Sequence, residues 1–203
     1  MRIVFATRNE GKLRELTQML ASTGVELVSL NDFSSLPEVV EDGKTYLENA
    51  LKKARIIAEA TGQTVLADDS GLEVEVLGGE PGIYSARYAG EDASDEENNA
   101  LLLTKLKDVP LSERRSSFRC VLVLYSPGGG YHAFEGRWDG LIIDESRGTN
   151  GFGYDPIFLW PDMNKTAAEL PPEVKNKISH RGRALAKLKE YLAGESPAVT
   201  VGA

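Results

Sequence analysis

Apolar residues along the chain fall into two rhythms, one of strands and one of helices. Residues 2–6 (RIVFA) form a short, nearly continuous apolar run of the length expected for a buried strand. The segment after it carries Leu13, Leu16 and Leu20 at helical spacing until Gly24, which predicts strand, polar turn and helix in succession. Residues 25–30 read as a second strand. Residues 31–44 lose the periodicity, contain Pro37 and the acids Glu38, Glu41 and Asp42, and read as a loop. In TYLENALKKARIIAEATG, Leu47, Leu51, Ala54, Ile57 and Ala58 share one face and Glu48, Lys52, Arg55 and Glu59 another. That is an amphipathic helix ending at Gly62.

Residues 64–67 are predicted as a strand, broken at Ser70 and Gly71. The following LEVEVL alternates Leu72, Val74 and Val76 with Glu73 and Glu75, as a strand with one wet face does. GGEPG then turns the chain. Ser94 with Glu97 three residues on forms a capping box for a helix carrying Leu101, Leu102 and Leu106. Two long β-like runs flank Pro127 to Gly130 and predict a hairpin. A glycine-rich loop, GTNGFGYDP, leads to a short strand, IFLW. A closing helix carries Ile178, Leu185, Leu188 and Leu192. The fold class is α/β. No repeat or linker divides the chain, so residues 1–193 read as one domain and 194–203 as a flexible tail.

Composition narrows the chemistry. With 203 residues, 41% of them hydrophobic, the chain can close a sizeable core. Acidic side chains outnumber basic ones 31 to 23, which argues against a general nucleic-acid or anionic-membrane surface. An anionic ligand would therefore need a local cluster of cations or a metal. The single cysteine, Cys120, rules out an intramolecular disulfide, fits a reducing compartment and sits in an apolar strand as a core residue. No apolar run approaches the ~20 residues of a membrane span, and the start lacks a signal-like stretch, so a cytoplasmic location is expected. His132 reads as a surface residue, and Trp138 and Trp160 as core or interface residues.

Three segments point beyond packing. ATRNEGK, residues 6–12, lies where a helix begins: its free backbone N–H groups and Lys12 suit a phosphate, although Thr7 or Asn9 can equally act as a plain helix cap. It does not match a P-loop. The acid pair Asp68 and Asp69 ends an apolar run, where two carboxylates need a cation, a proton or strong donors unless they simply face water. A divalent metal shared with substrate phosphates answers that need. Phe152-Gly153-Tyr154-Asp155, with Lys175 and Ser179-His180-Arg181, combines close backbone approach, flat rings and donors, as a nucleoside pocket does. The plainer alternative is a packed turn, with Lys175, Arg181 and Arg183 as solvated helix residues.

The series ATRNEGK, VEDGKTYLENALKKA, LADDSGLEVEVLGGEPGIYSARYAGEDA, GTNGFGYDPIF, KTAAEL and KISHRGRAL resembles the inosine/xanthosine triphosphate pyrophosphatase family, in the same order, to about residue 190. The resemblance implies an elongated two-lobed α/β subunit around a long mixed sheet flanked by helices, with the cleft between lobes, acting as a homodimer. It implies Mg²⁺-dependent hydrolysis of ITP, dITP and XTP to monophosphate and pyrophosphate. On this sequence, Thr7, Arg8, Asn9, Glu10, Gly11 and Lys12 correspond to the triphosphate cradle, Asp69 to the proton acceptor and Ser70 to a substrate contact. Glu41 and Asp69 correspond to the metal carboxylates. Phe152, Gly153, Tyr154, Asp155, Lys175, His180 and Arg181 correspond to nucleoside contacts, and Lys53 and Glu48 are further candidates.

Asn150 stands where the family usually has a second glycine, and is expected to take the left-handed conformation there. On a continuing strand Asp68 and Asp69 face opposite ways, so Asp69 is expected to act and Asp68 to support it. A nearby cation is expected to keep Asp69 ionised. Loop N–H groups, His180 and Arg181 are the expected donors to the 6-oxygen of a deaminated purine. The rival readings are a Maf-type nucleotide pyrophosphatase of other base specificity and a non-catalytic nucleotide sensor.

Overall fold

A computed structural model describes residues 1–21 and 23–194. Seven strands form one sheet in the order β2-β1-β3-β4-β5-β6-β7: β1 Arg2–Phe5, β2 Glu26–Ser29, β3 Val65–Val74, β4 Arg115–Tyr125, β5 Tyr131–Ile142, β6 Phe158–Trp160 and β7 Lys165–Thr166. The helices are α1 Glu10–Leu20, α2 Tyr46–Thr61, α3 Asp95–Lys105, α4 Pro172–Ile178 and α5 His180–Leu192. The α/β class is as expected. Parallel neighbours require a crossover, and α1 and α2 supply it: β1 pairs in parallel with β2, Val4 opposite Val28, and with β3, Phe5 opposite Leu66. The far side is antiparallel, with Leu141 opposite Leu159 and Leu159 opposite Thr166. The sheet is therefore mixed.

The chain forms two compact units. The first holds Met1–Asp69, Cys120–Gly136 and the chain from Arg181; the second holds Ser70–Arg119 and Arg137–His180. In the first, Ile3, Phe5, Leu66, Leu122 and Leu124 pack with Leu16, Leu185 and Leu188. In the second, Phe118, Trp138 and Phe158 form an aromatic centre with Leu72, Leu102 and Ile142. Trp138 is thus a core residue. Gly140 is obligatory here, because a Cβ would lie 2.5 Å from the Leu159 carbonyl oxygen.

Several local expectations change. No break occurs at Ser70 and Gly71: β3 runs through both, and the Leu72 N–H finds the Ser85 hydroxyl at 2.8 Å. The alternation instead ends at Val74, because Glu75–Leu77 is a 3₁₀ turn that leaves Val76 exposed. The closing helix is two helices, divided at Ser179, whose extended backbone (φ −66°, ψ 163°) puts Ile178 on α4. The buried stripe of α2 is Tyr46, Asn49, Ala50, Ala54, Ile57 and Ala58, with Leu47 and Leu51 only half-buried. A polar residue at its centre had hidden that stripe from the apolar pattern. His132 is half-buried against the Tyr191 ring, 4.4 Å between centroids, rather than at the surface. Asn150 needs no left-handed backbone; its N–H and side-chain amide donate to the carbonyls of Ala168 (3.0 Å) and Leu170 (3.2 Å). Apart from Gly194, the expected tail lies outside the described residues.

Candidate active site

In the first unit the acid pair is the centre of a charged cluster. Because β3 continues, successive side chains leave it on opposite faces. Asp68 is 1% exposed. Its Oδ1 pairs with the Lys12 ammonium, and its Oδ2 accepts from Arg181 Nε at 3.1 Å and from the Cys120 thiol at 3.3 Å. Burial alone would raise its pKa, but Lys12 and Arg181 together overcome burial and hold the carboxyl well below the usual range. The same surroundings push the Cys120 thiol up, through burial and the Asp68 charge, so it is an inert core residue as expected.

Asp69 meets a different environment one residue later. It is 5% exposed, and its Oδ2 accepts from Asn49 Nδ2 at 3.2 Å. Burial pushes its pKa up to about 6 against the pull of Lys12 and Lys53, and the Glu41 charge adds to the rise. Desolvation thus wins at Asp69 and loses at Asp68, although Lys12 and Lys53 still pull the Asp69 pKa down. At Asp68 the direct contacts with Lys12 and Arg181 outweigh burial.

Local backbone chemistry positions these groups. Asn9 caps α1 by accepting from the Lys12 N–H at 3.0 Å, and Thr7 accepts from the Asn9 N–H at 3.1 Å. Asn9 is therefore the cap and Thr7 bonds the turn before it, while Arg8, Asn9 and Glu10 stay exposed and Gly11 and Lys12 half-buried. Thr45 caps α2, and Glu48 accepts from the Lys44 N–H at 2.6 Å, which makes Glu48 a helix-start residue. Glu41 pairs with Lys53 Nζ at 2.5 Å, and the same ammonium donates to the Asp68 carbonyl at 3.1 Å. The Gly43 N–H holds Asn49 Oδ1 at 2.8 Å; a Cβ at residue 43 would lie 2.6 Å from that oxygen. Arg181, at the start of α5, also donates to Glu15 at 2.6 Å.

The second unit carries the glycine loop. Gly151 (φ +81°) has no room for a side chain, since a Cβ would lie 2.0 Å from Asp155 Oδ2. That oxygen accepts from the Phe152 N–H at 2.9 Å and from Lys175 Nζ at 2.6 Å. Lys175 is therefore a buried partner of Asp155, not a solvated residue, and its ammonium lies 5.2 Å from the Phe152 ring centre. Tyr154 is buried and donates to the Ser85 carbonyl at 2.9 Å; burial raises its pKa further from neutrality. His180 stacks on Phe118 with centroids 4.8 Å apart and planes 15° from parallel. Ser70 is half-buried on β3.

Sequence reasoning had not named Glu15, Asn49, Ser85, Asp95 or Asn99. Only Asn49 left a trace, as a polar residue at a position where the α2 stripe needs an apolar one. The loop N–H groups of Phe152 and Gly153 are already used, by Asp155 and Asp95 respectively, so neither is free to read a base as expected. Arg181 likewise commits Nε and Nη1 to carboxylates. Among the described residues no three of His, Cys, Asp and Glu group as a metal cage, and no helix is long and apolar enough to cross a membrane.

The sequence pattern of the Ham1 family matches residues 3–191. A curated relative from Geobacter sulfurreducens, named dITP/XTP pyrophosphatase, is 58% identical over 191 residues, covering 94% of this chain and 96% of that one. A solved HAM1 protein from Coxiella burnetii superposes with a TM-score of 0.87 at 43% identity, covering 96% and 99% of the two chains. The Mycobacterium abscessus structure titled nucleoside-triphosphatase, dITP/XTP pyrophosphatase, gives 0.76 at 49% identity, covering 93% and 98%.

Proposed function

Since this chain belongs to the Ham1 family, we propose that it hydrolyses deaminated purine nucleoside triphosphates, ITP, dITP and XTP, to the monophosphate and pyrophosphate. The observation that carries the reading is the divergence of the acid pair: one carboxylate locked as a counter-ion by Lys12 and Arg181, its neighbour raised to about 6 by burial. Such a divergence separates a structural acid from a working one. A carboxyl near 6 is a better proton acceptor than an ordinary aspartate and is still mostly ionised at neutral pH.

In this reading a water oxygen bonds to the α-phosphorus, the bond to the β-phosphate oxygen breaks, and the water proton passes to Asp69. Asn49 orients that carboxylate. Lys12, at the start of α1, offers its charge to the phosphates, with the N–H groups of Arg8, Glu10 and Gly11 beside it as backbone donors; those of Thr7 and Asn9 are already bonded within the chain. Asp68 keeps Lys12 in place and stays ionised. Phe152 offers a ring face to the base, and Tyr154, Asp155 and Lys175 hold that ring's loop in shape. His180 remains the candidate donor to the 6-oxygen, where ATP would leave a buried donor unpaired at a cost of ~1–3 kcal/mol.

A divalent cation fits the residues present. Asp69 and Glu41 are hard oxygen donors, and the Glu41 charge raises the Asp69 pKa, a repulsion that a dication relieves. Two carboxylates are too few for a closed protein cage but suit Mg²⁺, which keeps waters and takes phosphate oxygens. When bound, the ion would neutralise charge on the departing pyrophosphate. The acidic charge and lone cysteine support a cytoplasmic setting without nucleic-acid or membrane partners; the homodimer belongs to the same proposal and rests on the family resemblance.

The test is pyrophosphate release from ITP, XTP, ATP and GTP with and without Mg²⁺. Release from ITP and XTP well above ATP and GTP is expected. Equal rates on all four, or tight ITP binding with no product as a sensor would give, would remove the proposal.

A further inference from the structure

The first two turns of α3 hold the glycine loop from outside it. Asp95 Oδ2 accepts from the Gly153 N–H at 2.6 Å, and Asn99 Nδ2 donates to the Gly153 carbonyl at 3.1 Å. Residues 95 and 99 are one helical turn apart, so they present adjacent groups on the same face. Both backbone polar groups of one left-handed glycine (φ +63°) are thereby fixed by side chains 58 and 54 residues away. Gly153 lies between Phe152 and Tyr154, and no side chain of its own can fix it. Tyr154 is tied to Ser85, and Asp155 to Lys175 and the Phe152 N–H. The α3 clamp adds a further restraint to the stretch that carries the Phe152 ring.

Stability alone does not account for Asn99. It is 8% exposed, and among the described residues its Oδ1 finds no hydrogen-bond partner. A buried, half-satisfied amide is unfavourable for folding compared with an apolar residue. What it does is hold the loop. The same residues, with Leu103, Thr149 and Asn150, border a cavity of ≈ 470 Å³. Space beside the loop means that packing is not what holds it on that side.

We infer that Asp95 and Asn99 are positioning residues for substrate binding: together they clamp Gly153 and so set the attitude of the Phe152 ring toward the purine. The inference rests on the reading that this loop meets the base. Asp95 also stands in the first turn of α3, where any carboxylate favours the helix dipole, and the two roles separate by chemistry. An Asn at 95 keeps an oxygen for the Gly153 N–H but loses the charge, whereas Ala loses both.

Steady-state kinetics with ITP and calorimetric titration with IMP test this on the full chain for Asp95→Ala, Asp95→Asn, Asn99→Ala, Glu96→Ala and Phe152→Ala. Expected for Asp95→Ala and Asn99→Ala is a KM for ITP and a dissociation constant for IMP raised roughly tenfold, the size of one lost hydrogen bond, with kcat within about twofold. Asp95→Asn and Glu96→Ala should stay near the parent. Should Asp95→Asn fall as far as Asp95→Ala, the effect is helix charge and the clamp is wrong. Unchanged KM and IMP affinity in both Ala variants, while Phe152→Ala weakens both, overturns the clamp and leaves the base contact standing. No effect from Phe152→Ala either removes the base contact and the clamp together. Asn99→Ala keeps the test decisive if Asp95→Ala does not fold.

Discussion

Arg181 Nε donates to Asp68 Oδ2 at 3.1 Å although 113 residues of chain separate them, and the same guanidinium donates through Nη1 to Glu15 at 2.6 Å. Arg181 is 2% exposed and Asp68 1%. A guanidinium this deeply placed would be unfavourable alone; burial lowers its pKa, and Asp68 with Glu15 more than reverses that, so it stays charged. The first of the two acids is therefore neutralised by residues from α1 and α5 before any ligand is considered. Its neighbour Asp69 accepts from a neutral amide, and burial pushes its pKa up.

Removing one partner strands the other. Arg181→Leu should destabilise the protein by about 3–5 kcal/mol, because Asp68 would remain buried with Lys12 as its main cation. Arg181→Lys should recover part of this, and Glu15→Gln should cost about 1 kcal/mol. Urea unfolding at pH 7 is the check. An Arg181→Leu variant as stable as the parent would mean that the guanidinium does not hold Asp68 in solution.

The acid pair should give stability–pH profiles of opposite sign. Burial pushes the Asp69 pKa up to about 6 in the folded state, from 3.8 for an ordinary aspartate. Between those values the folded state holds the proton more tightly than the unfolded chain, so stability falls as pH rises through the window, and the whole penalty is present above pH 6. Asp69→Asn should therefore be more stable than the parent by roughly 2–3 kcal/mol at pH 8 in metal-free buffer, and no more stable below pH 4. The same variant should lose turnover by roughly 10²–10⁴-fold. Asp68 is depressed instead, so its contribution is full at neutral pH and is lost as pH falls below about 4. Asp68→Asn should accordingly be destabilised at pH 7 and approach the parent in acid. Thermal melts from pH 3 to 8 decide both, and parallel profiles for the two variants would contradict the opposite environments.

Gly43→Ala tests how Asn49 is held. The added Cβ would meet Asn49 Oδ1 at 2.6 Å and Glu48 Cβ at 2.9 Å, so the loop or the amide must shift. Loss of the Asn49 bond to Asp69 should lower kcat about tenfold, leave the KM for ITP within about threefold, and raise the acid limb of the pH–rate profile. A drop in melting temperature with kcat and the pH profile unchanged would assign Gly43 to loop packing alone.

Lys175→Met should weaken the glycine loop, since it removes the ammonium that pairs with Asp155 at 2.6 Å and both residues are almost fully covered. The expected loss is about 3 kcal/mol, with a KM for ITP raised more than kcat is lowered, because the Phe152 N–H shares the same Asp155 oxygen. Calorimetric unfolding and ITP kinetics measure the two parts separately. A KM equal to that of the parent would detach Asp155 from substrate binding.

Much of this molecule is legible one segment at a time. The apolar run of β1, the leucines of α1, the Ser94 and Glu97 capping box, and the glycines between β4 and β5 are local patterns, and local backbone and solvation physics suffices to read them. The acid pair and the Phe152 loop were conspicuous for the opposite reason, since they break the apolar rule where a strand or turn should be quiet. What was misread was also local: Ser179 divides the last helix, and Ser70 with Gly71 does not interrupt β3, because Ser85 satisfies the strand there.

By itself, then, the order of residues determined the α/β class, the helix and strand sites, and which side chains were out of place for mere packing. Only the tertiary structure decided who their partners are: Arg181 and Lys12 on Asp68, Asn49 on Asp69, Lys175 on Asp155, and Asp95 with Asn99 on Gly153. The direction of each acid's pKa was decided there too. Ionisation depends on how far water is excluded and which charge is in contact, and both are set by residues brought together across the chain.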